Sequence, residues 1–371
     1  MQLTRVRVRP GRGLGRLGPL LALSVAACSA AASSPGAGGS AGGNGGPAGA
    51  GGAGASGGEA GNGGGAGALL DAGVEASAPG CADTPATPAG SEATLAAAYA
   101  PLYRVFDLGV VPGIPGTGHL GGCVLDASDP NRLLVAGDSE TDLGALYAIQ
   151  LVRGPCGHIV GFSGSAQRVA TTPNVDANLL WGPGSVLLYS QWPVDHLGQL
   201  LAGGSAPASD VDLYPLGVTR GSVSGLGFVP PPLGAAGQLR TLTWSDGAWY
   251  HLTLSGSAPP WTVSSPLDVT TLPNGPGGFA YVPAGSPGFA AQSLIVAEWS
   301  VDSVATYAVD DAGDPVVATR HDFFTAFPRP WGAYFEPKTG DFLFLTWSEP
   351  PDRVFVVQGF VEPPPPPDAP R

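Results

Sequence analysis

Charge is scarce in this sequence. Only 12% of its 371 residues are Asp, Glu, Lys or Arg. Lysine occurs once, at Lys338, and histidine five times. The charge that exists is mostly acidic, 29 residues against 16 basic ones. Five of those basic residues are arginines ahead of position 28, so the remainder holds 11 basic against 29 acidic, a formal −18. A chain this acidic is a poor partner for nucleic acid or an anionic membrane surface. Sustained helical periodicity is also lacking, and the best candidate for a helix runs from Glu92 to Tyr99. No two histidines have metal-ligand spacing, and no phosphate-binding loop occurs. Gly161-Phe-Ser-Gly-Ser and Gly221-Ser-Val-Ser-Gly sit in β-rich sequence, which argues against a hydrolase nucleophile elbow.

The N-terminus points to export. Arg5, Arg7, Arg9, Arg12 and Arg16 make a basic start, followed by an apolar run from Leu17 to Ala27. That run is 11 residues long, against the roughly 20 a membrane-spanning helix needs. It fits a signal peptide over residues 1–27 that is removed on maturation. The run ends Leu23-Ser24-Val25-Ala26-Ala27-Cys28, which resembles the lipobox of bacterial lipoproteins. The resemblance implies a diacylglycerol on the Cys28 thiol and further acylation of the new N-terminus. Several chains anchor firmly where one holds weakly, because each buried methylene contributes about 0.8 kcal/mol. Ser29, rather than Asp, points to the outer membrane. Residues 36–67 then hold 18 glycines in 32 positions. Such a segment cannot bury enough apolar surface to offset its ordering entropy. Residues 28–90 are thus expected to be a disordered tether, the glycine-rich part spanning roughly 30 Å as a flexible coil.

Residues 91–361 form one all-β domain, and 362–371 a proline-rich disordered tail. Within 102–361, five units repeat a small-residue apolar strand, a turn and a second apolar strand. The first strands open at Gly122, Asn178, Gly225, Gly278 and Trp331. Four second strands end in tryptophan: Trp192, Trp244, Trp299 and Trp347. Asp195, Asp246, Asp302 and Asp352 follow these within two to five residues. A third strand and a looser fourth complete most units. Four strands per unit at about 52-residue spacing is the pattern of a β-propeller blade. The units resemble propeller repeats of the NHL and related lipoprotein types over about 70% of the chain, with no family-specific motif. Five blades are expected, with a six-bladed ring or a β-sandwich as alternatives. The proline run after Glu362 cannot join a ladder, so Leu102 to Asp107 is expected to supply the missing outer strand of the last blade.

This topology arbitrates among three cysteines besides Cys28. Cys123 lies on an innermost strand and Cys156 in a turn between third and fourth strands. Two ladder steps separate them, about 9–10 Å, too far for a bridge. Cys81 pairing with Cys156 is expected, with Cys123 buried and reduced.

The candidate ligand site is the channel face that carries Trp192, Asp195, Trp244, Asp246, Trp299, Asp302, Trp347 and Asp352, with His119 beside it. The competing role for these residues is interblade packing for Trp and tight turns for Asp. No first strand opens with an acid, which leaves Glu298 and Glu349 as the best carboxylates. Asp310, Asp311 and Asp314 lie close in sequence but lack calcium-loop spacing, so no metal is assigned and calcium stays a secondary expectation. The leading expectation is a monomeric, non-catalytic binding or scaffolding lipoprotein that engages a carbohydrate, peptide or envelope protein. The alternatives are a metal-dependent hydrolase or lactonase-like propeller enzyme, and a structural spacer.

Overall fold

The computed structural model describes residues 82–221 and 223–362. The signal segment, Cys28, the tether up to Cys81 and the tail from 363 lie outside the described residues. The chain forms five antiparallel sheets arranged as a five-bladed propeller. Blade 1 is Cys123–Asp126, Asp129–Gly137, Ala145–Arg153 and Ile159–Thr171. Blade 2 is Val175–Gly182, Val186–Gln191, His196–Leu201 and Ser209–Asp212. Blade 3 is Val223–Phe228, Leu239–Thr243, Ala248–Ser255 and Thr262–Thr271. Blade 4 is Pro276–Val282, Ser293–Glu298, Ser303–Ala308 and His321–Ala326. Blade 5 takes Pro330–Phe335, Phe342–Thr346 and Val354–Gln358 from the end of the chain, and Arg104–Gly109 from its beginning.

That last pairing closes the ring as expected, with Phe106 opposite Val356 and Arg104 opposite Gln358. The expected helix at Glu92 to Tyr99 does not form. Thr94–Leu95 instead pairs with the outer strand of blade 4 as a fifth strand, and turns follow from Ala96 to Tyr103. Tyr99 stacks on Phe289 and packs at a tilt against Phe323 there, at ring separations of 5.5 and 4.8 Å. Packing of one aromatic ring outweighs the helix preference of four alanines.

Why the strands read as unbroken apolar runs is plain from the packing. Side chains alternate between the two faces of a strand. In blade 1, Leu133 and Val135 face blade 5, where they join Phe106, Leu343 and Val356. Their neighbours Leu134 and Ala136 face blade 2 and join Leu179, Leu187 and Tyr189. Three further clusters fill the gaps between blades 2 and 3, 3 and 4, and 4 and 5. The inner strands of each blade are therefore buried on both faces against neighbours, so polar alternation is absent from them. Each such Leu, Val or Phe contributes about 1.5–3 kcal/mol by leaving water.

At the axis the first strands touch backbone to backbone, and glycine is what allows it. A Cβ on Gly122 would lie 2.7 Å from the Ala177 carbonyl oxygen, and one on Gly332 2.4 Å from that of Gly121. One on Gly278 would lie 2.8 Å from both the Ala333 nitrogen and Asn178 Oδ1. Cys156, in the third-to-fourth turn of blade 1, is disulfide-bonded; Cys81, its expected partner, lies outside the described residues. Asp83 accepts the N–H groups of Cys156 and His158 at 2.9 and 3.1 Å. Cys123 is a buried free thiol whose pKa burial pushes up.

The closed axis makes a direct test. Gly278→Ala is expected to cost about 1–3 kcal/mol in urea unfolding, because backbone must move to admit the methyl. Gly161→Ala, where a Cβ meets nothing within 4 Å, is expected to stay within about 0.5 kcal/mol.

Candidate active site

The first strands begin at the end of the channel where the second-to-third turns cluster. Blade 4 shows this directly, since Pro276 at the start of its first strand pairs with Glu298 at the end of its second. Three of the four repeated tryptophans meet at this mouth. Trp244 lies 5.7 Å from Trp299 by ring centroids, and Trp299 lies 6.3 Å from Trp331, at the start of blade 5. Trp331 lies 5.7 Å from Trp347, and Trp347 stacks on His119 at 4.0 Å. Trp244, Trp299 and Trp347 are half-buried, while Trp331 lies buried beneath the latter two. The arc thus runs through blades 3, 4 and 5 to His119. Trp192 makes no ring contact with it among the described residues, and its N–H goes to the Asn174 carbonyl.

Three of the repeated aspartates hold backbone, and the fourth pairs with an arginine. Asp195 is buried and accepts the Gly221 N–H at 3.0 Å, which ties blade 2 to the lead-in of blade 3. Asp352 is buried and accepts the Leu120 N–H at 2.9 Å, which ties blade 5 to blade 1. Asp302 is exposed and pairs with Arg329 at 3.3 Å. Asp246 closes its own turn by accepting the Thr243 hydroxyl and the Ala248 N–H. Glu298 is fully buried and satisfied by Tyr307, Arg320 and Asn274. Glu349 is exposed on the rim.

The sequence reading missed the two acids with the most unusual surroundings. The first strand of blade 2 begins at Val175, three residues before the expected Asn178, so Asp176 is at the mouth of the channel. A register shift between Val175 and Leu179 hid the start. Asp176 is fully buried; its Oδ1 accepts the Trp331 indole N–H at 2.8 Å, and its Oδ2 has no donor. Its partner is Glu140, in the second-to-third turn of blade 1, held at φ 61° with its N–H on the Val175 carbonyl. The Glu140 and Asp176 carboxyls interact directly, and the pair is accommodated most easily with one of them protonated. Desolvation pushes Glu140 up to about 7. Asp176 rises well above the usual carboxylate range through burial first and the Glu140 charge second. Buried like-charged acids behave this way because both cannot ionise together.

The calcium expectation finds no matching donor set. Calcium takes six to eight oxygens, and no group of three His, Cys, Asp or Glu side chains comes together among the described residues. In the acidic turn, Asp310 accepts backbone N–H groups of Ala312 and Asp314. Asp314 itself receives Arg240, Trp249 and His251.

No protein-family model matches the sequence, and no curated protein matches it. Solved structures with a similar course of chain include a gluconolactonase from Xanthomonas campestris, 12% identical. It is matched over 76% of this chain and 99% of its own, with a TM-score of 0.41. A PQQ-bound aldose sugar dehydrogenase from Streptomyces coelicolor is 14% identical over 68% of this chain and 83% of its own, at a TM-score of 0.38. At these values none of them says what this chain acts on. The expectation of a non-catalytic binding or scaffolding protein is corrected. The solved structures with a similar course of chain are enzymes by name, a likeness of fold that gives a non-catalytic role no support.

The raised carboxyl makes stability depend on pH. An unfolded chain releases the Glu140 proton near 4.5, the folded one only near 7. Glu140 therefore stabilises the fold fully below about 4.5, and that stability is lost as the pH rises through 7. A displacement of this size is worth on the order of 3 kcal/mol. Thermal melts of the wild type are expected to fall between pH 5 and 8, and Glu140→Gln to remove most of that fall.

Proposed function

We propose that this chain is an exported, lipid-anchored hydrolase of the lactonase type, which opens a cyclic sugar ester at the mouth of the propeller channel. The observation that carries the proposal is Asp176, a fully buried carboxyl at the channel mouth with one oxygen on the Trp331 indole N–H and the other without a donor, beside the half-buried Glu140, whose pKa desolvation pushes up to about 7. A proton held near the operating pH is what general acid–base catalysis needs. The half-buried faces of Trp299 and Trp347 beside it offer flat apolar surface to a sugar ring.

The spacing of the pair narrows the reaction. Glycoside hydrolysis places its two carboxyls at least about 5 Å apart, to fit an anomeric carbon or a water between them. Two carboxyls that interact directly, each with its proton affinity raised, suit proton transfer at a single oxygen. In an ester that oxygen is the leaving alkoxide. Trp331 holds Asp176 through its indole N–H, so Glu140 is the member placed to hand over the shared proton. The lipid on Cys28 and the long tether would keep this chemistry at the outer membrane, with the domain free to reach substrate at some distance from it.

Acid release from aldose δ-lactones, followed by pH-stat, tests the activity. Glu140→Gln is expected to lower the rate about 100-fold or more while the protein stays folded. Wild-type protein that releases no acid, or a variant as fast as wild type, would overturn the reading. For the anchor, detergent phase partitioning of cell-expressed protein is expected to place wild type in the detergent phase and Cys28→Ser in the aqueous phase.

A further inference from the structure

We propose that His119, oriented by Asp352, is the general base of this site; the inference rests on the hydrolase reading above. His119 Nδ1 lies 3.0 Å from Asp352 Oδ2. The Asp352 side chain is fully buried, whereas that of His119 is 29% exposed. The same carboxylate also accepts the Leu120 N–H at 2.9 Å, the Ser348 N–H at 2.8 Å and the Thr346 hydroxyl at 3.1 Å. Four donors on one buried acid leave it no freedom to turn. A rigid acceptor at Nδ1 selects the tautomer with the proton there and the lone pair on Nε2.

The ring is fixed a second time by Trp347, which it faces at 4.0 Å with planes 18° apart. One hydrogen bond and one stack together define its position and its plane. Nε2 then has no hydrogen-bond partner among the described residues, on a side chain that is partly open to solvent. The other paired histidines differ. His251 puts Nε2 on Asp314, and His158 is bound to Asp341 in the third-to-fourth turn region at the opposite end of the channel. His196 has both ring nitrogens near aspartates, Asp210 at 2.9 Å and Asp212 at 3.9 Å. A histidine serving only to latch blade 5 to blade 1 would duplicate the Leu120 N–H, which already bonds the same oxygen.

The two proton-handling units are built into one piece of backbone. The His119 carbonyl accepts the N–H of Ser139, the residue before Glu140, at 3.1 Å. From the other side, His119, Trp347, Trp331 and Asp176 form a continuous chain of contacts. The division of labour in lactone opening follows. Nε2 takes a proton from water as the water oxygen bonds to the acyl carbon. The ring C–O bond breaks, and its oxygen receives the proton shared by Glu140 and Asp176. The proton on His119 then returns to that pair through solvent. The net change is one water added across one ester bond.

Two measurements test this on the intact folded protein. In the first, diethyl pyrocarbonate is applied at neutral pH and carbethoxylated peptides are followed by mass spectrometry. His119 is expected to react several-fold faster than His158 and His251; equal or slower reaction overturns the proposal. In the second, His119→Ala is assayed on aldose δ-lactones with and without imidazole. A loss of about 100-fold, with at least tenfold recovery in imidazole, is expected. A merely structural histidine would not be rescued by added imidazole. Glu140-dependent hydrolysis that does not respond to loss of His119 would sink this inference and leave the hydrolase reading standing. A wild type inert towards every lactone would sink both.

Discussion

Every blade here has two apolar faces and no layer of its own to cover them. That one constraint organises the rest of the molecule. A sheet such as blade 1 sends Leu133 and Val135 to one neighbour and Leu134 and Ala136 to the other, so it is complete only inside a ring. A ring closes only if the first strands can converge, and convergence needs glycine where Gly122, Gly278 and Gly332 meet the next backbone. Closure also needs the last blade to find a fourth strand, which the proline run after Glu362 forbids locally and Arg104–Gly109 provides from the other end. The glycines, the strand order and the split blade are answers to the same demand.

Convergence at the axis has a chemical consequence. Backbones that approach this closely leave no wide water-filled pore, so polar side chains on the first strands are desolvated. Asp176 and Asn178 both face this environment, and Asp176 Oδ2 and Asn178 Oδ1 are left without donors. A carboxyl that cannot keep its charge in such a place keeps its proton instead. The raised pKa of the Glu140–Asp176 pair thus follows from the closure that makes the propeller stable.

The fold was legible because its signals are periodic. Strand-sized apolar runs, glycine at the first strands and turn residues between them recur five times, and errors in one unit average out. The expected helix at Glu92 to Tyr99 failed for a local reason, since Tyr99 finds an aromatic pocket made by Phe289 and Phe323 that lies far away in sequence. The site was much less legible. The repeating Trp and Asp positions attracted notice, yet repetition marks what all blades need. Asp195 and Asp352 accordingly tie each blade to the next. The acid pair lies where the repeat breaks. Glu140 belongs to the one unit whose second strand lacks the terminal tryptophan, and Asp176 to a first strand whose start is masked by a register shift.

That contrast separates architecture from chemistry at this channel mouth. A residue present in every blade is accounted for by packing or turn formation before any ligand is considered. A residue found in one blade, buried, and left with an unmatched oxygen has no such account. His119 shows how the two can coincide in one contact. Its Asp352 partner is one of the repeated interblade aspartates, and the same carboxylate that ties Leu120 to blade 5 also holds the ring against Trp347. A latch that every propeller blade can use becomes, at the one position where a histidine precedes the latched N–H, a device for aiming a lone pair. The ring closure and the orientation of Nε2 then depend on the same buried carboxylate. A change at Asp352 therefore disturbs blade closure together with any chemistry, whereas a change at His119 alone leaves the Leu120 bond intact.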